Sequence, residues 1–136
     1  MNMILPNGED VALVALDEMN QVHEEELVLI QNLLEEIKAE NIAEVDRLFS
    51  HWLEHTEQHF DNEACLMEKY NFPPMEVHVG EHQSALANIY SMQEKWKDTR
   101  DLGMLQSYIV DDWTNWFINH VNSMDFVTAR FIASQL

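Results

Sequence analysis

The sequence predicts an all-α protein, an up-down-up-down antiparallel bundle of four helices. Apolar residues recur at spacings of three and four in four stretches, at 10–39, 42–70, 75–97 and 103–134. The breaks between the stretches are short, and the strongest is the run Asn71-Phe72-Pro73-Pro74. The composition fits, because 46% of the residues are apolar and only three Gly and three Pro occur. Four amphipathic helices with short connections bury their apolar faces against one another.

Each stretch gathers its apolar residues on one helix face. The face of the first stretch carries Leu16, Met19, His23, Leu27, Ile30, Leu34 and Ile37. The second carries Val45, Leu48, Trp52, His59, Glu63 and Leu66. The third carries Met75, His78, His82, Leu86, Ile89 and Trp96. The fourth carries Leu105, Ile109, Trp113, Trp116, His120, Met124 and Val127. The polar members lie among core residues, so we expect them to be buried.

Length and charge restrict the domain organisation and the partners. The 136 residues predict one helical domain, 1–136, with a short N-terminal arm, 1–9. The net charge of −18 disfavours nucleic acid and anionic membranes as partners. No apolar run approaches the roughly 20 residues of a membrane span, and the N-terminus lacks a signal-peptide pattern. The single cysteine, Cys65, permits no internal disulfide, which fits a cytoplasmic protein. Its thiol is expected to be inert.

Five histidines and two carboxylates, all but one of them on these faces, form a candidate metal site. They are His23, His59, Glu63, His78, His82, His120 and Asp125. Counted from the breaks between stretches, all four helices present these residues within about one or two turns of a common level. Imidazole and carboxylate together suit iron, manganese or zinc, and seven groups exceed the needs of one ion. The pattern therefore predicts a two-metal site inside the bundle.

Asp125 does not follow the spacing of the other pairs. Two pairs lie four residues apart and therefore share a helix face. Asp125 follows His120 by five residues, which places it about 140° further round an ideal helix rather than about 40°. Two explanations remain open: Asp125 bridges two metals, or a local π-helical turn re-aims its side chain.

The order of these groups resembles that of the hemerythrin family, in particular its single-domain bacterial members. The matching segments are His23, His59-Phe60-Asp61-Asn62-Glu63, His78-Val79-Gly80-Glu81-His82 and His120-Val121-Asn122-Ser123-Met124-Asp125. The segments Tyr70-Asn71-Phe72-Pro73 and Trp116-Phe117-Ile118-Asn119-His120 also agree. Asn20, His55 and Ala64 depart from the family pattern, which often has Asp, Tyr and Glu at these positions.

The resemblance implies two iron ions in the bundle core. One iron would have three histidine ligands, His78, His82 and His120. The other would have two, His23 and His59. Both irons would share the carboxylates of Glu63 and Asp125 and a solvent-derived oxo or hydroxo bridge. This count leaves one position open on the iron with two histidines, where O₂, azide or NO would bind.

The implied function is reversible O₂ binding, for storage, delivery or sensing, by a protein that is not an enzyme. The alternative is a redox enzyme or an NO or redox sensor that uses the same di-iron centre. A ferritin-like oxidase is disfavoured, because no Glu in the chain has a His three residues later. A helical interaction module with a structural metal is a further alternative, and iron content would exclude or support it.

Other side chains are expected near the ligands without binding metal. Phe60, Met67 and Trp116 would form an apolar lining that admits O₂ and excludes bulk water. His55, one turn from His59, is expected beside the site or in a bland role, whereas His51 is expected to face solvent. The acidic run Glu24-Glu25-Glu26 is expected to form a solvated helix face.

Overall fold

The computed structural model describes residues 2–136 and confirms the predicted four-helix architecture. Two short strands precede the helices, β1 (Asn2–Ile4) and β2 (Asp10–Ala12). The first three helices are α1 (Asp17–Lys38), α2 (Ile42–Lys69) and α3 (Met75–Thr99). The fourth helix occupies residues 102–134 and has three α-helical segments, α4 (Leu102–Ser107), α5 (Thr114–His120) and α6 (Phe126–Ser134). No helix within residues 2–136 is long and apolar enough to cross a membrane.

The first helix begins at Asp17, later than the predicted start at residue 10. The preceding residues form an antiparallel hairpin instead, in which Met3 pairs with Val11 and both are buried. Asn20 holds the connection to α1, because its side-chain amide donates to the carbonyl of Val14 and accepts from the N–H of Val14, both at 2.9 Å. The segment predicted as an arm therefore packs on the bundle through β1.

The helices end where the sequence places its breaks. Asn41 caps α2, since its side chain accepts the N–H of Glu44 at 3.4 Å. Asn71 adopts a left-handed conformation with φ 53° directly after α2, and two prolines follow before α3. Asp101 caps the fourth helix by accepting the N–H of Met104 at 3.0 Å. These short connections bring consecutive helices together in the bundle.

The fourth helix contains two π-helical turns, Tyr108–Trp113 and Val121–Asp125. A π turn holds one residue more than an α turn and so rotates every later side chain relative to a regular helix. The predicted apolar face is therefore wrong beyond His120: Val127 is 51% exposed and Met124 is half-buried. The residues that are buried there are Val121, Asp125, Thr128, Ala129 and Ile132.

Large aromatic residues fill much of the core. Trp52, Phe49, Trp96 and Phe117 are almost fully buried. Trp96 also joins two helices, because its indole N–H donates to Asp46 at 2.8 Å. Burial of such large side chains stabilises the packing around the polar cluster described next.

Candidate metal centre

The four helices bring all seven predicted residues into one buried cluster. None of the seven is more than 4% exposed. Five of them offer ligand atoms that all lie within 4.8 Å of one another: Glu63, His78, His82, His120 and Asp125. A second group, which shares one carboxylate with the first, satisfies the same limit: His23, His59 and Glu63. The cluster thus has a half with three histidines and a half with two.

The two carboxylates lie between these halves, and each divides its oxygens between them. Oε2 of Glu63 is 2.5 Å from Nε2 of His59, whereas Oε1 faces Nε2 of His78 at 3.3 Å. Oδ2 of Asp125 is 3.0 Å from Nε2 of His23, whereas Oδ1 faces Nε2 of His78 at 3.2 Å. Both carboxylates therefore have the orientation of bridging ligands between two cations.

Local helix geometry explains how the sequence aims these side chains. Residues four apart on α2 and α3 share one face, which directs each of those pairs inward. His120 and Asp125 are five apart, and the π turn at Val121–Asp125 compensates for the extra residue. Oδ1 of Asp125 consequently lies 3.2 Å from Nε2 of His120. The π-helical explanation offered by the sequence is confirmed.

Several atoms in the centre of the cluster lack a well-directed hydrogen bond within residues 2–136, although they lie close together. These atoms are Nε2 of His23, Nε2 of His78, Oε1 of Glu63 and both carboxylate oxygens of Asp125. A buried polar atom without a partner is costly, and lone pairs that converge on one space suit a metal ion. The residues present therefore fit a bound cation.

The carboxylates of the cluster are ionised, which is the state that metal ligation requires. Burial would raise the pKa of Asp125, but His120, His23 and His78 together hold that pKa well below its usual range. Burial and Asp125 would likewise raise the pKa of Glu63, yet His59 and His78 lower it to about 2. Burial lowers the pKa of His82 to about 3, so this imidazole is neutral. Burial would also lower the pKa of His59, His78 and His120, but the carboxylates raise it, to about 9 for His78, so these rings hold protons that a bound cation would displace.

Three residues outside the predicted set contact the outer nitrogens of the histidine rings. Nδ1 of His59 lies 3.1 Å from Oε1 of Glu26, and Nδ1 of His120 lies 2.6 Å from Oε1 of Glu81. Nδ1 of His78 lies 2.7 Å from Oγ1 of Thr128. Such contacts fix the ring orientation and the tautomer that leaves Nε2 free to bind metal. The structure thus explains how three of the five imidazoles are held.

The expectation that Glu26 lies on a solvated face is wrong. Glu26 is 2% exposed, and the imidazoles of His55 and His59 outweigh the effect of burial and lower its pKa to about 2. A signal was present in the sequence, because Glu26 is three residues from His23 and four from Ile30, on the buried face of α1. Its neighbours Glu24 and Glu25 are exposed, as expected.

Aromatic rings cover the three-histidine half. Phe60 stacks on His82 with ring centroids 3.8 Å apart, and Trp116 stacks on His120 at 4.6 Å. Met67 is fully buried. His55 is half-buried, with Nδ1 3.8 Å from Oε1 of Glu26, and lies outside both ligand groups. His51 is exposed. That all seven cluster residues act as ligands stays a prediction.

A four-helix bundle with a buried histidine and carboxylate cluster defines a class of metal-binding helical proteins. Residues 11–132 match the family described as "Hemerythrin HHE cation binding domain". The chain therefore belongs to the hemerythrin family. This result confirms the resemblance inferred from the order of the ligand candidates.

Two curated relatives agree with the family match. The chain is 27% identical to a bacteriohemerythrin of Aquifex aeolicus (strain VF5), over 82% of this chain and 86% of the relative. It is 32% identical to a bacteriohemerythrin of Ralstonia nicotianae (strain ATCC BAA-1114 / GMI1000), over 62% of this chain and 60% of the relative. No solved structure matches the chain significantly.

Proposed function

We propose that the chain binds two iron ions in the buried cluster and binds O₂ reversibly there. The observation that carries the proposal is the division of carboxylate oxygens. Glu63 and Asp125 each face both the three-histidine half and the two-histidine half. A single ion would leave one half of the donors unused, whereas two ions use all seven.

The ligands would be shared unequally between the two irons. His78, His82 and His120 would hold one, and His23 and His59 would hold the other. With both carboxylates and one solvent-derived bridge shared, the second iron has one protein donor fewer. That iron would keep a coordination position for a small ligand, and the bound iron pair would supply the electrons that O₂ takes up and returns.

The surrounding side chains favour reversible binding over hydrolysis or oxidation. Phe60, Trp116 and Phe117 pack against the histidines and reduce access of water and protons to the centre. A groove of about 290 Å³ reaches His59 and Glu63 from the surface between α1 and α2. Met19, Val22 and Leu66 line this groove, so its walls are largely apolar and suit a small uncharged ligand.

The alternative is a redox enzyme or an NO or redox sensor that uses the same centre. The accessible groove beside His59 and Glu63 is compatible with it, since any small molecule that reaches the iron could react there. The two proposals differ in whether O₂ is recovered. A carrier returns O₂ unchanged, whereas an enzyme or redox sensor retains an oxidised centre.

One experiment tests the proposal. Protein from iron-replete cells is analysed for metal, reduced without air, exposed to O₂ and then flushed with argon while the visible spectrum is recorded. We expect two irons per chain and an absorption band that appears with O₂ and fades on its removal. A band that persists and responds to azide supports the enzyme or sensor. One zinc per chain without iron, or a spectrum unaffected by O₂ and azide, would refute the di-iron proposal.

A further inference from the structure

A second groove reaches the buried cluster from the surface between α2 and α3. It has a volume of about 220 Å³ and touches the three-histidine half of the cluster at His82. The groove is separate from the one that reaches Glu63, because the two have no lining residue in common. Its walls are partly apolar and include Phe60, Val79 and Leu86.

The imidazole of His82 has one nitrogen that no group within residues 2–136 satisfies. Its Nε2 faces the cluster, 3.0 Å from Nε2 of His120 and 3.5 Å from Oε1 of Glu63. Nδ1 lies on the other side of the ring, is directed away from the cluster and forms no hydrogen bond with these residues. The outer nitrogens of three other cluster histidines each face a carboxylate or a hydroxyl group. Because His82 is only 3% exposed, an N–H without an acceptor would be costly there.

We propose that this groove binds a small uncharged molecule with an apolar body and a carbonyl oxygen, which accepts a hydrogen bond from Nδ1–H of His82. A histidine whose Nε2 binds a metal ion carries its proton on Nδ1 and can only donate from that side. The molecule would be a second ligand, bound beside the metal centre and not to it. The proposal therefore holds for any metal ion in the cluster and does not depend on O₂ binding.

The walls of the groove determine the shape of the ligand. The ring of Phe60 stacks on that of His82, with centroids 3.8 Å apart and planes 3° apart. This stacking covers one face of the imidazole, so a ligand meets the ring at its edge, where Nδ1 lies. Val79 and Leu86 add apolar surface. The volume is below the roughly 300 Å³ of pockets for drug-sized ligands, and it suits one aromatic ring with one polar substituent.

The charges around the groove favour an uncharged ligand. Glu57 and Asp61 both line it, and the hydroxyl of Tyr90 donates to Oε1 of Glu57 at 2.8 Å, which holds that carboxylate in place. The net charge of −18 also repels anions. A cation would gain nothing from His82, because Nδ1–H presents a proton and not a lone pair. An oxygen acceptor without charge therefore matches the groove best.

Benzamide is the probe for the test, because its ring matches the apolar walls and its amide oxygen accepts a hydrogen bond. The intact protein with its resident metal is titrated by calorimetry with benzamide, toluene and benzoate. Toluene lacks the acceptor and should bind about three- to tenfold more weakly than benzamide, the scale of one hydrogen bond. Benzoate has the size of benzamide but a negative charge, and it should also bind more weakly. Absence of benzamide binding, or equal binding of all three probes, would overturn the proposal.

Matched variants locate the bound probe. Ala64 lines the groove, and Ala64→Leu should fill it and weaken benzamide binding by about tenfold or more, the scale of overpacking a site. Ala43→Leu makes the same change at an exposed position of α2 outside the groove and should leave binding unchanged. Undiminished benzamide binding by folded Ala64→Leu protein would show that the probe binds elsewhere.

A variant at an exposed position tests the charge of the groove without altering the core. Asp61→Asn removes one negative charge from the lining and should tighten benzoate binding while leaving benzamide binding unchanged. Because Asp61 is exposed, this result decides the question even if Ala64→Leu does not fold. Unchanged benzoate affinity in Asp61→Asn would contradict binding in this groove. The resident metal count, measured before any probe is added, judges the di-iron proposal separately.

Discussion

Asp125 follows His120 by five residues, yet its Oδ1 lies 3.2 Å from Nε2 of His120. A regular α-helix would point the two side chains about 140° apart. The π turn over Val121–Asp125 removes this difference and aims both at the cluster. The π turn of the fourth helix is therefore part of the site, and variants that change its length can test this role.

Variants that lengthen or shorten this turn should show whether metal binding depends on the spacing between His120 and Asp125 and not only on the presence of the two residues. Insertion of one alanine after Asn122 should rotate His120 relative to Asp125 by about 100°. The chain should then bind one metal ion instead of two. Deletion of the exposed Asn122 should retain metal, because a four-residue spacing in an α-helix also places both side chains on one face. Metal content and circular dichroism of both variants provide the measurement. Full metal content in the insertion variant would show that the π turn is not what aims Asp125.

Glu26 is expected to orient His59 although it is not a ligand candidate. Replacement by leucine leaves the Nδ1–H of His59 without its acceptor at 3.1 Å, a loss that costs about 1–3 kcal/mol for a buried group. We expect Glu26→Leu to weaken metal binding by about 10–100-fold and Glu26→Gln, which keeps an acceptor oxygen, to weaken it less. Chelator competition measures the affinity. The exposed Glu35 on the same helix gives the control, and Glu35→Gln should match the unmodified chain.

Thr128 should support His78 in the same way. Its hydroxyl lies 2.7 Å from Nδ1 of His78, and both residues are buried. Thr128→Val keeps the shape but removes the acceptor, so we expect the free energy of unfolding to fall by about 1–3 kcal/mol. Thr128→Ser retains the hydroxyl. We therefore expect it to bind metal more tightly than Thr128→Val, although it also removes a methyl group from the core. Equal metal affinities for the valine and serine variants would contradict a role for this hydroxyl.

The sequence predicted the bundle and the seven cluster residues for the same reason. Apolar spacing identifies the helix faces, and histidines within those faces must be buried with their partners. These residues lie at similar distances from the breaks between the helices, which places His23, His59, His82 and His120 at one level of the bundle. Periodicity and helix length therefore account for the six residues that lie on the predicted faces, but not for the orientation of Asp125, which depends on the π turn.

Other features depend on tertiary contacts that periodicity does not record. The π turns shift the face of the fourth helix, so the burial of Thr128 in place of Val127 was not predicted. The spacing of Glu26 on α1 could have indicated its burial, but its contact with His59 on another helix could not be read from the spacing. The hairpin over β1 and β2 was missed because two three-residue strands give too short an alternating pattern.

Removing the metal should destabilise the protein by a measurable amount. Without metal, the lone pairs of Glu63 and Asp125 remain buried with imperfect partners, whereas bound ions would satisfy them. A ligand present at about 1,000 times its Kd contributes about 4 kcal/mol to the folded state, and we expect a loss of that order on chelation. Thermal unfolding of metal-loaded and chelated protein provides the measurement. Equal melting temperatures would contradict metal binding by this cluster.

A single substitution separates metal binding from the cost of the buried charge. Asp125→Leu replaces a carboxylate that is 0% exposed with an apolar side chain of similar size. Replacing buried ionic groups by apolar ones is often neutral or stabilising when no metal is present. We therefore expect metal-free Asp125→Leu to melt at or above the temperature of the metal-free parent, yet to gain much less from added metal. Glu35→Gln, which changes an exposed acid outside the cluster, should instead keep the full difference between metal-loaded and metal-free protein. If Asp125→Leu gains as much stability from metal as the parent does, Asp125 is not a ligand.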